Sequence, residues 1–191
     1  MTTFHPPIKK RLQAALTAIL LLAALSACAW AHASKAWQAR LDARTAKLWF
    51  EGQDLDGIIL NARGELNVTW LERRLVDFLD RDRDVHEWVV SNLGYYSSNR
   101  KENRDKLKGR DLYVLNYRAV KNWNFDPTLL RIGDYAVTAD DILTKWDYQE
   151  VGELPPGLTG ILAIAGPSLK RGQKIEIRYA DAAASLEVPK N

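Results

Sequence analysis

The sequence predicts a mainly β fold, an antiparallel β-sandwich or open barrel with one or two short helices, preceded by an N-terminal helical tether. Three observations carry this: short apolar runs recur between turn residues, several runs alternate apolar with polar side chains, and long helical periodicity is missing from the second half. A chain of 191 residues that is 47% hydrophobic and 27% charged is long enough for one globular domain of ordinary size. The expected division is residues 1–27 as a leader, 28–50 as the tether and 51–191 as a single β-rich domain.

The elements follow in order. "SKAWQARLDARTAKLWF", residues 34–50, is rich in Ala, Arg, Lys and Leu and reads as a helix with Ser34 as its cap. In "LDGIILNARGELNVTW" the run Ile58, Ile59, Leu60 precedes alternating Leu66, Val68 and Trp70, which predicts a hairpin turning at Asn61 to Gly64. Residues 70–94 support two readings. Thr69 with Glu72 matches a capping box, and Leu71, Leu75, Phe78 and Leu79 share a helical face; Val76 with Phe78, and Trp88 with Val90, also alternate around three Asp residues, and a hairpin is the reading adopted. "DLYVLNYRAV" is apolar on both faces, as a central strand buried on two sides would be. "LLRIGDYAVT" places Gly133 and Asp134 as a two-residue turn with Gly first. Thr138, with Asp141 three residues later, opens a short helix. Pro155, Pro156 and Gly157 enforce a turn before the buried strand "LTGILAIAG". The last element is a hairpin in which Ile175, Ile177 and Tyr179 alternate with Lys174, Glu176 and Arg178.

The leader decides where the chain is expected to reside. Lys9, Lys10 and Arg11 form a positive start, and Leu12 to Leu25 is an apolar stretch too short for a bilayer-spanning helix of roughly 20 residues, which fits an export signal. Residues 1–27 contain those three bases and no acid, which accounts for the whole formal charge of +3. A nucleic-acid partner inferred from overall basicity would therefore be an artefact of the leader.

Two cleavage readings compete at its end. "AHA" suits ordinary signal peptidase, which would release a soluble periplasmic protein after Ala33. The reading adopted rests on Leu25, Ser26, Ala27 and Cys28: this "LSAC" resembles the lipobox of bacterial lipoprotein precursors, and the resemblance covers residues 1–28 only. It implies a diacylglyceryl thioether and an N-acyl chain (palmitate, for example) on Cys28. Each buried methylene adds about 0.8 kcal/mol, so two or more chains anchor stably where one would not. In such lipoproteins an aspartate after the cysteine retains the product at the inner membrane; Ala29 stands there, which implies the periplasmic face of the outer membrane. Cys28 is the only cysteine, so no disulfide is expected within the chain.

The chemical inventory excludes more than it supplies. Once the leader is removed only His32 and His86 remain, with no free thiol, so no zinc site of Cys and His ligands is expected, and neither a P-loop nor a dinucleotide spacing occurs. No catalytic residue and no cofactor is expected. Asp80, Asp82 and Asp84 have the one-three-five spacing of a calcium loop and form a weak calcium candidate, but Val85 and Ser91 stand where that loop needs Gly and Glu, and a solvated turn with Arg81 and Arg83 explains them better.

Two surface candidates remain. Arg100, Lys101, Arg104, Lys106, Lys108 and Arg110 make a basic patch in what reads as a loop, suited to anionic headgroups or an acidic partner, although such loops are more often only solvated. Of the 7 tryptophans, Trp123 lies between Asn122 and Asn124 with Phe125 beside it; read as a loop, this is the candidate binding site for a sugar ring or a partner protein. Trp37 and Trp49, on the tether, are expected near the bilayer interface.

The function expected from these features is a lipid-anchored envelope binding or adaptor module without a recognisable catalytic site. The partners expected are the membrane, through the lipid on Cys28, and another envelope protein or a glycan. The alternatives are a structural subunit of an envelope assembly and a carboxylate-dependent glycan hydrolase.

Overall fold

A computed structural model describes residues 38–72 and 100–190. The chain divides into two units, Met1–Arg40 and Leu41–Asn191. In the first, the described residues 38–40 are helical; the strands among the described residues lie in the second.

The fold is mainly β, and the strand pairs among the described residues are all antiparallel. One four-stranded sheet runs in the order β1 (Thr45–Phe50), β4 (Gly64–Leu71), β5 (Asp111–Ala119), β10 (Thr159–Gly166). The other runs β12 (Ala182–Glu187), β11 (Lys174–Tyr179), β7 (Leu130–Ile132), β8 (Tyr135–Ala136). Two ribbons complete the set, β2 (Gln53–Leu55) with β3 (Ile58–Leu60), and β6 (Trp123–Phe125) with β9 (Gly152–Leu154). No closed barrel forms among the described residues. One core joins the sheets: Leu66, Val68 and Trp70 of β4 and Leu115 and Tyr117 of β5 pack with Ile132 of β7, Ile177 and Tyr179 of β11 and Leu186 of β12. This sandwich-like arrangement buries the facing sides of the two sheets in that core.

Strand β5 is central, between β4 and β10, and its two faces are both buried: Tyr113, Leu115 and Tyr117 on one, Leu112 and Val114 on the other. The turn at Gly133 and Asp134 joins β7 to β8 with Gly133 at φ 58, and Thr138 opens a 3-10 turn, Ala139–Asp141. Gly157, at φ 86, completes the proline turn before β10, and β11 pairs with β12 as a hairpin.

Four expectations are corrected. Residues 45–50 are not tether: helical residues end at Asp42 and the chain enters the sheet as β1, with Ala46 and Leu48 buried and Lys47 exposed. Pairing with β4 from Thr45↔Thr69 to Phe50↔Gly64 overrides the helical propensity of Ala, Lys and Leu, so Trp49 is a half-buried residue of the sheet and not of a helical tether. The hairpin does not turn at Asn61 to Gly64. Strand β3 pairs back onto β2 through Asp56 and Gly57, both at positive φ (53 and 85), while β4 returns to β1; the ribbon is inserted between them. The basic segment is not a loop throughout, because Arg100–Lys106 form a helix, α1, with Asn103 and Leu107 buried beneath it. Trp123 and Phe125 are likewise on a strand, not a loop. Residues 73–94, most of the segment read as a hairpin, lie outside the described residues, as do Cys28, Trp37, His86 and the calcium candidates Asp80, Asp82 and Asp84.

Candidate functional site

The expected indole site is overturned by burial. Trp123 is 1% exposed and Phe125 equally so, both inside an aromatic cluster: Trp123 meets Tyr179 edge to face at 5.6 Å, and Phe125 stacks on Tyr117 at 4.0 Å. Trp123 also lies across the backbone of Gly64 in β4, where a Cβ would collide with its six-membered ring. Asn122 and Asn124 face outward. The sequence held the signal, since Trp123 and Phe125 alternating with Asn122 and Asn124 is the period of a half-buried strand.

Asn124 and Phe125 nonetheless line a groove of about 340 Å³, and the indole beside it is Trp146. Trp146 is 76% exposed, the most exposed of the large apolar side chains among the described residues. Phe125, Pro127, Ile142 and Val151 supply the apolar lining, and Asn124, Asp126, Thr128 and Gln149 the polar lining. Sequence reasoning missed Trp146 because it weighted the asparagines around Trp123; Trp146 and Tyr148 alternate with Lys145, Asp147 and Gln149 as the residues of a half-buried strand would, so the local pattern carries no signal that this indole is exposed.

Each wall of the groove is fixed to the sheets. Asp126 caps the 3-10 turn Pro127–Leu129: its Oδ1 accepts from the Thr128 amide at 2.9 Å and the Thr128 hydroxyl at 2.7 Å, and its own amide donates to the Tyr179 hydroxyl at 3.1 Å. On the other side, the chain at 142–144 lies along the edge of β10, through the bridge of Ile142 to Ile164, the Leu143 amide to Ala163 O at 2.8 Å and the Ala163 amide to Thr144 Oγ1 at 2.8 Å. This covers an otherwise open sheet edge. The following 3-10 turn, Trp146–Tyr148, is held by Gln149, whose amide donates to Trp146 O at 3.0 Å and whose Nε2 donates to Thr144 O at 2.6 Å. Tyr117 donates its hydroxyl to Glu150 O, which ties this segment to β5. The indole is therefore exposed on a braced segment.

The basic patch divides. Lys101, Arg104, Lys106 and Lys108 are exposed, whereas Arg110 turns inward. Its Nη2 approaches Asp141 Oδ1 at 2.8 Å, the Tyr135 hydroxyl at 2.6 Å and Ala165 O at 2.6 Å, and its guanidinium sits 5.3 Å from the Tyr135 ring centre. Burial pushes the Asp141 carboxyl upward, but hydrogen bonds from the Thr138 amide, Arg110, Tyr135 and the Thr138 hydroxyl outweigh it and hold the group below its ordinary value. These partners leave Arg110 as a brace, not a ligand site. Asp111 is committed in the same way, accepting from the Trp70 indole and the Leu169 amide, both at 2.9 Å.

Around the groove the charge is one-sided. Asp126 lines it, and Asp140, Asp147, Glu150 and Glu153 are exposed on the segments that build it, against Lys145 alone. None of these carboxylates forms an ion pair among the described residues. No group of three or more His, Cys, Asp or Glu among the described residues is arranged to hold a metal ion. No family model matches the sequence, and no curated protein or solved structure shows significant similarity to it.

Proposed function

We propose that the chain is an exported, lipid-anchored binding module of the bacterial envelope, held at the periplasmic face of the outer membrane by acyl chains on Cys28 and presenting the Trp146 groove to a partner. The observation that carries this reading is the indole of Trp146, 76% exposed beside a groove with braced walls. A large apolar side chain kept in water is a standing cost that binding relieves, and Trp is enriched among the residues that dominate binding energies. Hydrolysis by paired carboxylates finds less support, because the groove is lined by one carboxylate, Asp126, where that chemistry needs two facing each other. The structural-subunit reading draws on a different feature. Leu55, Ile58 and Leu60, which share one face of the β2 and β3 ribbon, are 56%, 64% and 40% exposed.

Crosslinking in native membranes tests the proposal, with the full-length chain compared with Cys28→Ser and Trp146→Ala. The expected result is that Cys28→Ser leaves the membrane fraction, and that a ligand crosslinked to the wild type is lost from Trp146→Ala. Equal membrane retention of Cys28→Ser overturns the anchor, and unchanged capture by Trp146→Ala overturns the groove.

A further inference from the structure

We infer that the Trp146 groove takes a cationic side chain, an arginine in an extended basic segment of a partner protein, with its guanidinium over the indole. This rests on the reading of the groove as the binding site, and it names the chemistry of the occupant.

Two independent features converge on it. The first is the ring: an exposed indole attracts any flat or cationic group, and of the aromatic side chains Trp offers a cation the strongest face. The second is the field. Asp126 lines the groove, and Asp140, Asp147, Glu150 and Glu153 are exposed on the segments that build it with Lys145 as the one base there, so the potential at the groove favours a cation over an anion. A neutral sugar would stack on the indole and donate hydroxyls to a carboxylate, but it would gain nothing from the net negative field.

The bonding of Asp126 is more specific. Its Oδ1 is engaged by the amide and hydroxyl of Thr128, which fixes the carboxylate, while Oδ2 has no partner among the described residues. Asn124 likewise has its side-chain carbonyl uncommitted at the same rim. These acceptors match the several N–H donors of a guanidinium, whose plane stacks on an aromatic ring as an ammonium cannot. A volume of about 340 Å³ is at the small end of ligand sites, enough for one long side chain and its neighbours.

The test is titration of the full-length protein in detergent micelles with four probes: an arginine-containing basic peptide, its lysine counterpart, an acidic peptide of equal length, and a neutral oligosaccharide. The expected order of affinity is arginine peptide, then lysine peptide, with no measurable binding of the acidic one. Binding of the arginine peptide should weaken as salt is raised, because exposed charges are screened beyond about 10 Å at 0.1 M. Trp146→Ala should lower its affinity about tenfold, and Asp126→Asn should lower it while narrowing the gap between arginine and lysine. If the oligosaccharide binds in a Trp146-dependent way and the arginine peptide does not, the ligand class is wrong and the groove stands. If the arginine peptide binds equally to wild type and Trp146→Ala, its attraction is diffuse and the inference fails. If no probe responds to Trp146→Ala, both the inference and the groove reading fall.

Discussion

Arg110 and Asp141, 31 residues apart in sequence, meet at 2.8 Å, and the contact ties the end of the basic segment to the turn that carries the groove. Asp141 is 5% exposed and Arg110 27%, so neither is free to recover full hydration if the other is removed. The Tyr135 hydroxyl accepts from Arg110 and donates to Asp141 Oδ2 at 2.9 Å, closing a small ring of charge-assisted bonds.

Asp141→Asn should therefore destabilise the protein by about 2 to 3 kcal/mol, because it leaves Arg110 partly buried without a counter-charge. Tyr135→Phe, which removes one partner and no charge, should cost about 1 kcal/mol. The sign with pH is fixed by the depressed Asp141 carboxyl. Its contribution is present above the ordinary aspartate value of about 3.9 and is lost as pH falls through the lower folded value. Urea unfolding across acid pH should show wild type and Asp141→Asn separated near neutrality and converging in acid; a gap independent of pH would sink this account.

The two indoles of the groove region should behave oppositely. Trp123→Ala empties a buried aromatic site and should cost about 3 to 5 kcal/mol, whereas Trp146→Ala, at an exposed position, should stay within about 0.5 kcal/mol of wild type. Thermal unfolding monitored by circular dichroism separates them. Comparable losses would mean that Trp146 has a packing role.

Gly64 should be intolerant of a side chain because the Trp123 ring occupies the space of its Cβ. Gly64→Ala alone should cost about 1 to 3 kcal/mol. Combined with Trp123→Leu, which vacates part of that space, the loss should be smaller than the sum of the single losses. Additive costs would show that the strain at Gly64 lies in the backbone rather than against the ring.

Three phenols should resist alkali. Burial pushes Tyr113 and Tyr117 above the ordinary phenol range, with Asp111 and Glu150 adding to it, and pushes Tyr179 up to about 12. The unfolded chain ionises its tyrosines near pH ~10 while the folded chain keeps these three protonated, so stability falls as pH rises from there toward the folded values. An ultraviolet titration should show the three ionising together with the loss of the near-ultraviolet dichroism. Their ionisation before unfolding would contradict the buried positions.

What was legible in the sequence is what is local. The Gly133 and Asp134 turn, the Thr138 and Asp141 pair, the two-faced strand at Leu112 to Tyr117 and the final hairpin all follow from alternation and turn chemistry within about ten residues. Strand β1 was not legible, because Ala46, Lys47 and Leu48 favour a helix on their own and become a strand only by pairing with residues such as Thr69, 24 positions from Thr45. The Asp56 and Gly57 turn escaped because the aliphatic residues around it are exposed, against the habit of reading such runs as core. The choice between Trp123 and Trp146 turned on the same point: whether an indole is covered depends on strands that arrive from elsewhere, here β4 with Gly64 and β11 with Tyr179.

The register of β1 with β4 also makes one part of the molecule detachable. Phe50 and Gly64 are partners, and the Arg63 amide donates to Phe50 O at 2.9 Å, so the chain leaves the sheet and rejoins it at the same rung. The residues from Gly52 to Leu60 are an excursion that begins and ends there, and changing its length alters loop-closure entropy only logarithmically. A fluorescent label or a foreign epitope spliced between Asp56 and Gly57 would hang from the far end of that excursion, a handle that leaves both sheets and the Trp146 groove as they are.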